Sequence, residues 1–410
     1  MKSNYKPIGN YVNLVEERNK ELQDLPLIGL SITKQFIPSI ANTIGTDMST
    51  YRTIYKNQFA YSAVTSRNGD KLTIALFKDL DKGLISQAYT PFEVTDKNEL
   101  LPEYLMMWFS RPEFDRYARF KSHGSARELF SWEDLCETLI PVPHPDKQKE
   151  IVKEYNTIVN RIALNNQLIK KLEETAQAIY REWFVDFEFP NEEGKPYKSN
   201  GGEMVESELG EIPKGWEVKS INSICEITSS KRIFEEEYTP SGIPFYRGKE
   251  ITLKKAGEII SEPIFISNRR YDEIVASSGK PNEGDLLMTA VGTIGSSYMV
   301  QNEKFYFKDG NIIWFKNFIN DGANYYLYDF MQSEQFTSFI KEITIGSTQS
   351  AITITTFGQF KLIFPNDDLL IQYKKHIGKI NKLMSNKKCS NSKLNFLKDL
   401  LLSKLATIEN

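Results

Sequence analysis

The residue types that most often bind metals are sparse in this chain of 410 residues. Its histidines are His123, His144 and His376. Its cysteines are Cys136, Cys225 and Cys389. No histidine has a second histidine or a cysteine at the spacing of a zinc site, and the cysteines form no Cys-x-x-Cys pair. The sequence therefore predicts no metal site, and the widely separated cysteines indicate a reducing, cytoplasmic compartment.

Segments that could bind a phosphate or carry a nucleophile also lack the required context. GKPNEG at 279–284 and TAVGTIGSS at 289–297 are rich in glycine, yet neither contains the P-loop pattern or the GxGxxG dinucleotide fingerprint. We interpret both as turns. No GxSxG elbow is present, and Glu193 and Lys195 form an isolated pair rather than part of a nuclease core. The sequence thus gives no local case for catalysis.

The charge of the chain is nearly balanced, with 51 basic residues, 54 acidic residues and a net charge of −3. This balance excludes a uniformly cationic nucleic-acid binder, so any phosphate-binding surface has to be local. Basic clusters occur at Lys231-Arg232, Arg247 with Lys249, Lys254-Lys255 and Arg269-Arg270. No run of about 18 apolar residues is present, which predicts that no segment spans a membrane.

The elements that would position a site occur twice. Gly124-Ser125 recurs as Gly346-Ser347, and Tyr104-Leu105 recurs as Tyr326-Leu327, in both cases 222 residues later (346 minus 124). FAYSAV at 59–64 aligns with LLMTAV at 286–291 at a slightly larger offset. This repeat is much longer than a solenoid unit, so we infer duplication of a whole domain. A duplicated domain predicts a function that is performed twice.

Each copy combines a β-rich region with a long helix. The first region contains short β-like runs interrupted by one predicted helix, Pro102 to Phe120, in an α+β pattern. Apolar residues in steps of four and three then predict a heptad helix over about 145–184. The stretch 190–213 is rich in Gly, Pro and Glu and is interpreted as a loop or linker. The expected domains are β-rich domain 1 at 1–143, a central helix at 144–190, a linker at 191–211, β-rich domain 2 at 212–365 and a C-terminal helix at 366–410.

The two predicted helices are expected to pair as an antiparallel coiled coil with pseudo-twofold symmetry. Their corresponding heptad positions include Asn165, Ile169 and Leu172 in the first helix and Lys387, Asn391 and Leu394 in the second. Polar residues in such a seam cost stability but can fix register and orientation. A helix of about 40 residues would hold the two β-rich domains on the order of 60 Å apart, as a ruler. The alternative is that the second helix, which is poorer in apolar seam residues, frays and packs elsewhere.

The order of these segments resembles the specificity subunits of type I restriction–modification enzymes over nearly the whole chain. The second module carries the resemblance in IPKGWEVKSINSICEITSSKRI (212–233), SGIPFYRGKEI (241–251) and NEGDLLMTAVGTIG (282–295). The first module carries a related version in LIGLSITKQFIPS (27–39), DMSTYRTIYKNQFAYSAV (47–64) and GSARELFSWEDLCETLIPVP (124–143). The segment LEETAQAIYREWFVDFEFP (172–190) is similar to the family's central spacer helix.

The resemblance implies two target recognition domains, each of which recognises one half of a bipartite sequence in double-stranded DNA. The helices would set the spacing and dock two methyltransferase subunits, while restriction and translocase subunits would supply the motor and nuclease. S-adenosylmethionine, ATP and Mg²⁺ would bind those partners, so this chain would hold no cofactor and no catalytic residue. The heptad residues Asn165, Ile169, Leu172, Lys387, Asn391 and Leu394 would organise the spacer and its contacts.

Candidate DNA contacts follow from side-chain chemistry in loop-like segments. Arg and Lys suit guanine, Asn and Gln suit adenine, and Ser, Thr, Tyr and basic residues suit phosphates. The candidates in the first module are Lys34, Arg52, Arg67, Asn68, Ser125 and Arg127. Those in the second are Lys231, Arg232, Tyr246, Arg247, Lys249, Ser347 and Gln349. For Arg247 the alternative is an ion pair with a neighbouring carboxylate.

Two other functions stay open on the sequence alone. The same fold would also suit a non-catalytic scaffold that assembles proteins without recognising DNA. An enzyme with an unrecognised site in the clefts of the β-rich domains is the other alternative, and the sequence motifs give it little support. Salt dependence separates the first two, because the affinity of a DNA-binding protein for a duplex falls steeply with salt concentration.

Overall fold

The chain folds into two compact units. A computed structural model describes residues 5–42, 44–65, 71–123, 128–344 and 354–408. Unit 1 comprises Met1–Ile162 and Leu394–Asn410, and unit 2 comprises Ala163–Lys393. Each unit contains a β-rich body and a part of each of two long helices. Within the described ranges, no helix is both long enough and apolar enough to cross a membrane.

The body of unit 1 is α+β, as expected. Its strands are β1 (Tyr5–Pro7), β2 (Val12–Leu14), β3 (Ile28–Leu30), β4 (Phe36–Pro38), β5 (Arg52–Tyr55), β6 (Phe59–Ser62), β7 (Ile74–Leu76), β8 (Lys82–Ile85), β9 (Tyr89–Val94) and β10 (Leu139–Pro141). Its helices are α1 (Pro102–Phe109), α2 (Pro112–Lys121) and α3 (Trp132–Glu137). The central antiparallel sheet has the order β2-β9-β6-β7, and residues of all three helices pack with it in one apolar core.

The single helix predicted for Pro102 to Phe120 is two helices, so that prediction was wrong. α1 ends at Phe109 and α2 begins at Pro112. Proline has no N–H and disfavours the helical conformation in the residue before it. Arg111 is accordingly extended, with φ −74° and ψ 135°, and separates the two helices.

The body of unit 2 lies between the two long helices in sequence. These are α4 (Pro145–Phe184) and α11 (Asp367–Lys404). The strands are β11 (Met204–Ser207), β12 (Gly210–Pro213), β13 (Glu217–Ser220), β14 (Glu226–Thr228), β15 (Tyr238–Thr239), β16 (Ile243–Tyr246), β17 (Ile264–Ile266), β18 (Leu286–Thr289), β19 (Ser297–Met299), β20 (Tyr306–Phe307), β21 (Ile312–Lys316) and β22 (Lys361–Phe364). The helices are α5 (Ile221–Ile224), α6 (Gly248–Ala256), α7 (Asn268–Ser278), α8 (Ala323–Phe330), α9 (Glu334–Thr344) and α10 (Ile354–Gly358). Two four-stranded sheets form, β14-β21-β18-β19 and β15-β17-β16-β20.

The sheet topology of the two bodies matches the sequence repeat. β6, which contains most of FAYSAV, lies between β9 and β7, and β18, which contains LLMT, lies between β21 and β19. The pair β1–β10 in unit 1 corresponds to β13–β22 in unit 2. α1 and α8 carry the recurring Tyr-Leu pair. The predicted duplication of a whole domain is confirmed.

The two long helices pair in an antiparallel sense within each unit. In unit 2, the Nδ2 of Asn165 donates to the Oδ1 of Asn391 (2.8 Å), while Trp183, later in α4, contacts Tyr373, earlier in α11. In unit 1, Ile151 of α4 shares a core with Leu402 of α11. The predicted antiparallel pairing is therefore confirmed, and the alternative of a detached second helix is excluded.

The segment interpreted as a loop or linker is folded in unit 2, because Tyr197 within it packs against Phe189, which flanks it together with Trp216. Phe189 stacks on Tyr197 and on Trp216, with ring centroids 4.5 Å and 5.1 Å apart. β11 and β12 then form an antiparallel hairpin. The Gly, Pro and Glu composition of residues 190–213 correctly predicted turns but gave no information on these aromatic contacts.

Candidate nucleic-acid interface

The start of α6 in unit 2 is organised by one carboxylate. β16 ends at Tyr246, and Arg247 is still extended (φ −99°, ψ −178°) before the helix begins at Gly248. The side chain of Glu250 accepts a hydrogen bond from the backbone N–H of Arg247 (2.9 Å). A glutamate that reaches back in this way satisfies a free N–H at the helix start.

The same carboxylate holds the Arg247 side chain. Nε of Arg247 donates to Oε2 of Glu250 (3.1 Å), and Nη2 donates to Oε1 (2.8 Å). The Glu250 side chain is 2% exposed and that of Arg247 is 39% exposed. Burial opposes ionisation of Glu250, yet hydrogen bonds and the charge of Arg247 hold its pKa below the ordinary value. The ion pair that was the alternative for Arg247 is therefore present, and it leaves part of the guanidinium open to solvent.

An exposed loop and an exposed lysine adjoin this arginine. Lys249 is exposed in the first turn of α6. A Cβ added to Gly248 would lie 3.6 Å from Cγ2 of Thr289, so the helix start closely approaches the connection from β18 to β19. In that connection, Gly292 and Gly295 have positive φ and Val291 is exposed. The interpretation of TAVGTIGSS as a turn is confirmed.

A second pair of candidates lies on the segment that follows β14. Lys231 and Arg232 are exposed there. The backbone N–H of Lys231 donates to the Tyr306 hydroxyl (3.1 Å), and Nε of Arg232 donates to Oδ2 of Asp309 (3.0 Å). These contacts fix the segment against the β20–β21 region and leave both cationic side chains open to a phosphate.

Tyr246 does not face solvent, so its placement among the DNA contacts is corrected. It is 8% exposed and stacks on Phe305, with ring centroids 4.6 Å apart. The neighbouring Phe245 belongs to a different apolar cluster. Successive side chains of a strand face opposite sides of the sheet, and both sides of β16 are covered by apolar clusters. The Tyr246 ring is therefore buried.

Lys34 is likewise corrected, because its side chain is only 10% exposed. Its Nζ pairs with Oδ1 of Asp115 (2.7 Å) and donates to the carbonyl of Phe109. Burial lowers the pKa of Lys34, against the opposing effect of Asp115. Asp115 also accepts from the N–H of Leu72 (3.0 Å). The lysine thus ties a turn to the core of unit 1.

Of the seven remaining candidates for DNA contact, the structure describes one. Arg52 begins β5 and is half-buried opposite Ile85, so it stays a candidate. The remaining six lie outside the described residues: Arg67, Asn68, Ser125, Arg127, Ser347 and Gln349.

Five of the six heptad candidates lie on the paired helices of unit 2, and the sixth, Leu394, is the first α11 residue of unit 1. Asn165, Asn391 and Ile169 are buried. Nδ2 of Asn391 also donates to Oδ1 of Asn166 (2.7 Å). Leu172, Lys387 and Leu394 are half-buried. The three buried positions can organise the helix pair but cannot touch a docked partner.

The C-terminal end of α6 is fastened to α11. Gly257 ends the helix with φ +73°, and a Cβ there would lie 2.4 Å from Cβ of Lys388. The Ser392 hydroxyl donates to the Gly257 carbonyl, and Nζ of Lys388 donates to the Lys255 carbonyl (3.0 Å). The helix that presents Arg247 and Lys249 at one end is therefore anchored at the other.

Glu250 is the residue of this surface that sequence reasoning missed. The available signal was a glutamate three residues after the residue that precedes the helix, which is the spacing of a capping box. Among the described residues, no group of three or more His, Cys, Asp and Glu side chains is placed to hold a metal ion.

Comparisons with known proteins concern the chain as a whole rather than this surface. The family model described as the type I restriction modification DNA specificity domain matches residues 21–174 and again 213–397. The HindI specificity subunit of Haemophilus influenzae is 20% identical to this chain and the match covers 86% of each protein. The MjaIX specificity subunit of Methanocaldococcus jannaschii is 28% identical over 44% of this chain and 42% of its own.

A solved structure shares the fold. The type I restriction–modification S subunit from M. genitalium superposes with a TM-score of 0.62 at 14% identity. The match covers 99% of this chain and 96% of that one. The similarity extends over both units and both long helices.

Proposed function

The chain belongs to the type I restriction–modification DNA specificity family, and from this membership we propose that it is a non-catalytic specificity subunit that recognises a bipartite sequence in double-stranded DNA. The observation that carries the proposal is the duplicated body, which the family model matches twice. Two copies of one domain suit a target with two separate half-sites. Each body would recognise one half.

The surface of the unit 2 body supports contact with DNA. Lys231, Arg232 and Lys249 are exposed, and the guanidinium of Arg247 is partly exposed. Lys231 and Lys249 in particular supply the local positive surface that a chain with a net charge of −3 needs if it binds a polyanion, because Arg247 is paired with Glu250 and Arg232 with Asp309. Side chains on phosphates would set the position on the duplex, and side chains on base edges would supply specificity.

The helices suit a spacer that also docks partners. The buried Asn165–Asn391 contact fixes the register of α4 against α11 in unit 2. Large apolar side chains lie exposed on the same helices: Leu164 and Leu168 on α4, and Phe396, Leu397 and Leu400 on α11. Exposed apolar groups on long helices are typical of protein interfaces. We assign them to two methyltransferase subunits, and to restriction and translocase subunits that join the complex.

The chemistry of methylation and cleavage would then reside on those partners, in the cytoplasm. S-adenosylmethionine would bind the methyltransferase subunits, and ATP and Mg²⁺ would bind the restriction subunit. This chain would recognise the DNA sequence and set the distance between the two half-sites.

The experiment that tests the proposal is co-expression of the chain with the methyltransferase subunit of its own system, followed by single-molecule sequencing of the host genome. We expect a methylated motif of two parts with a fixed gap. The methyltransferase subunit alone is the control and should give no such motif. A complex that forms but methylates no split motif, and whose affinity for duplex DNA is insensitive to salt, would overturn the proposal in favour of a protein scaffold.

A further inference from the structure

The Arg247 guanidinium is unusually well fixed for a side chain at the surface. It shares Glu250 with its own backbone: Oε2 accepts from the N–H and from Nε, and Oε1 accepts from Nη2. Because Glu250 is almost fully buried, these bonds are shielded from competing water. An arginine held in this way loses little further conformational freedom when it binds.

The ion pair occupies one edge of the guanidinium and leaves the other free. Arginine has five N–H donors in a planar fork. The bonds to Glu250 use Nε and one hydrogen of Nη2, on the side edge. The end edge, which consists of Nη1 and the second hydrogen of Nη2, has no acceptor among the described residues. Two parallel donors on that edge match the O6 and N7 acceptors of guanine in the major groove.

Two other arginine–carboxylate pairs of unit 2, those of Arg269 and Arg232, lack this arrangement. The Arg269 side chain is 90% exposed and its partner Glu273 is 48% exposed, so water competes for both. Arg232 is exposed and meets Asp309 through Nε. Among these three pairs, Arg247 and Glu250 combine a buried carboxylate, a capped helix start and a free pair of donors.

We propose that Arg247 recognises one guanine in the half-site bound by unit 2, through its Nη1–Nη2 edge, and that Glu250 is the positioning residue that aims it. This inference rests on the proposed function. The local charge agrees with it, because the Arg247–Glu250 pair is neutral as a whole and is better suited to a base edge than to attraction of phosphates. Lys249, two residues later and exposed, is the complementary phosphate contact.

The experiment uses the full chain in complex with its methyltransferase subunit. Once the split motif of the wild-type complex is known, binding is measured on duplexes that carry each of the four bases at every position of both half-sites. With Arg247→Ala, we expect discrimination at one G·C pair of one half-site to fall about 5- to 150-fold, the range of a lost bidentate base contact. Preferences at the other half-site should stay unchanged.

Salt dependence separates a base contact from a phosphate contact. Loss of a base contact should leave the slope of log affinity against log salt unchanged, whereas loss of a phosphate contact should reduce it by about one and weaken all sequences alike. A slope that falls by about one in Arg247→Ala, without relaxed discrimination, would overturn the proposal.

The positioning role is tested with Glu250→Gln. Its amide presents a donor towards Nε or Nη2 and breaks the two-bond pair, so the same G·C position should lose discrimination, while the other half-site serves as an internal measure of folding. The matched control is Glu273→Gln beside Arg269, which should change no base preference. If Glu250→Gln does not fold, Arg247→Lys decides, because one ammonium cannot replace two parallel donors and should relax that position alone.

The outcomes for this inference differ from those for the proposed function. If the wild-type complex gives no split motif, the proposed function fails. If it gives a split motif that contains no guanine, or if the Arg247 variants keep every base preference, the inference fails and the proposed function stands.

Discussion

The buried carboxyl of Asp329 should make the stability of unit 2 depend on pH. Asp329 is 2% exposed at the end of α8, and the hydroxyl of Tyr373 donates to its Oδ2 (2.6 Å). Burial raises the pKa of Asp329 to about 7, and the hydrogen bond from Tyr373 opposes the rise. Tyr180 of α4 and Tyr328 of α8 also lie near Asp329, and burial raises the pKa of each, so they stay neutral.

The sign follows from comparison of the folded and unfolded chains. In the unfolded chain the carboxyl ionises near its ordinary pKa of 3.8, whereas in the folded chain it keeps its proton up to about pH 7. Below about pH 4 both states are protonated, so the group imposes no penalty. Between about pH 4 and pH 7 the free energy of unfolding falls by about 1.4 kcal/mol per pH unit. Above about pH 7 the total decrease stays at roughly 4 kcal/mol.

Asp329→Asn should remove this pH dependence. Its amide oxygen can still accept from Tyr373, and no charge has to be buried. We expect the variant to be more stable than the wild type at pH 8 by a few kcal/mol and to approach it at pH 4.5, as measured by urea unfolding at both pH values. Tyr373→Phe should act in the opposite direction, with a loss of about 1.5–3 kcal/mol that is larger at pH 8, because the carboxylate loses its donor.

The control is Asp321→Asn, which removes an exposed carboxylate that pairs with Lys374. It should leave the dependence of unfolding free energy on pH close to that of the wild type. Equal slopes in the wild type and in Asp329→Asn between pH 4.5 and pH 8 would refute the reasoning.

Three further predictions concern the DNA surface and the helix pair. Lys249→Ala should weaken binding alike for all duplex sequences and lower the salt slope by about one; an unchanged slope in a salt titration would exclude a phosphate contact. Asn391→Leu should lower the free energy of unfolding in urea by about 1–3 kcal/mol, because Asn165 loses its buried acceptor. The double variant Asn165→Leu/Asn391→Leu should recover part of that loss, and an additive cost of the two substitutions would disprove the coupling. Removal of one heptad from α4 and of the facing heptad from α11 should shorten the gap between the two half-sites by about three base pairs, since seven residues rise about 10 Å. An unchanged gap in the methylated motif, measured by genome sequencing, would disprove the ruler.

The fold was largely predictable because its strongest signals are periodic. The 3.5-residue pattern predicted α4 at almost its observed bounds, and the internal repeat predicted two related bodies, which share the strand order of one four-stranded sheet. Failures arose where one local feature changed the outcome: Pro112 divided a continuous apolar pattern, and the aromatic residues around Trp216 folded a segment of loop-like composition.

The DNA surface was less predictable, because residue type does not indicate burial. Lys34 and Tyr246 have side chains suited to DNA, yet one is paired with a buried aspartate and the other lies on a strand that is covered on both faces. For Arg247 the sequence allows either a DNA contact or a carboxylate partner, and the structure confirms the carboxylate partner. The geometry of the guanidinium permits both at once, and a sequence pattern cannot express that.

The attachment of α6 to α11 has an evolutionary consequence. A chain that gained a new DNA specificity by exchange of one recognition body would keep the old helices, so the incoming body would have to fit Lys388 and Ser392. At position 257 the backbone is left-handed and a Cβ would overlap Lys388. The residues at the start of α6 could then differ between bodies, whereas a glycine at its end would be the condition for a new body to be compatible with the old helices.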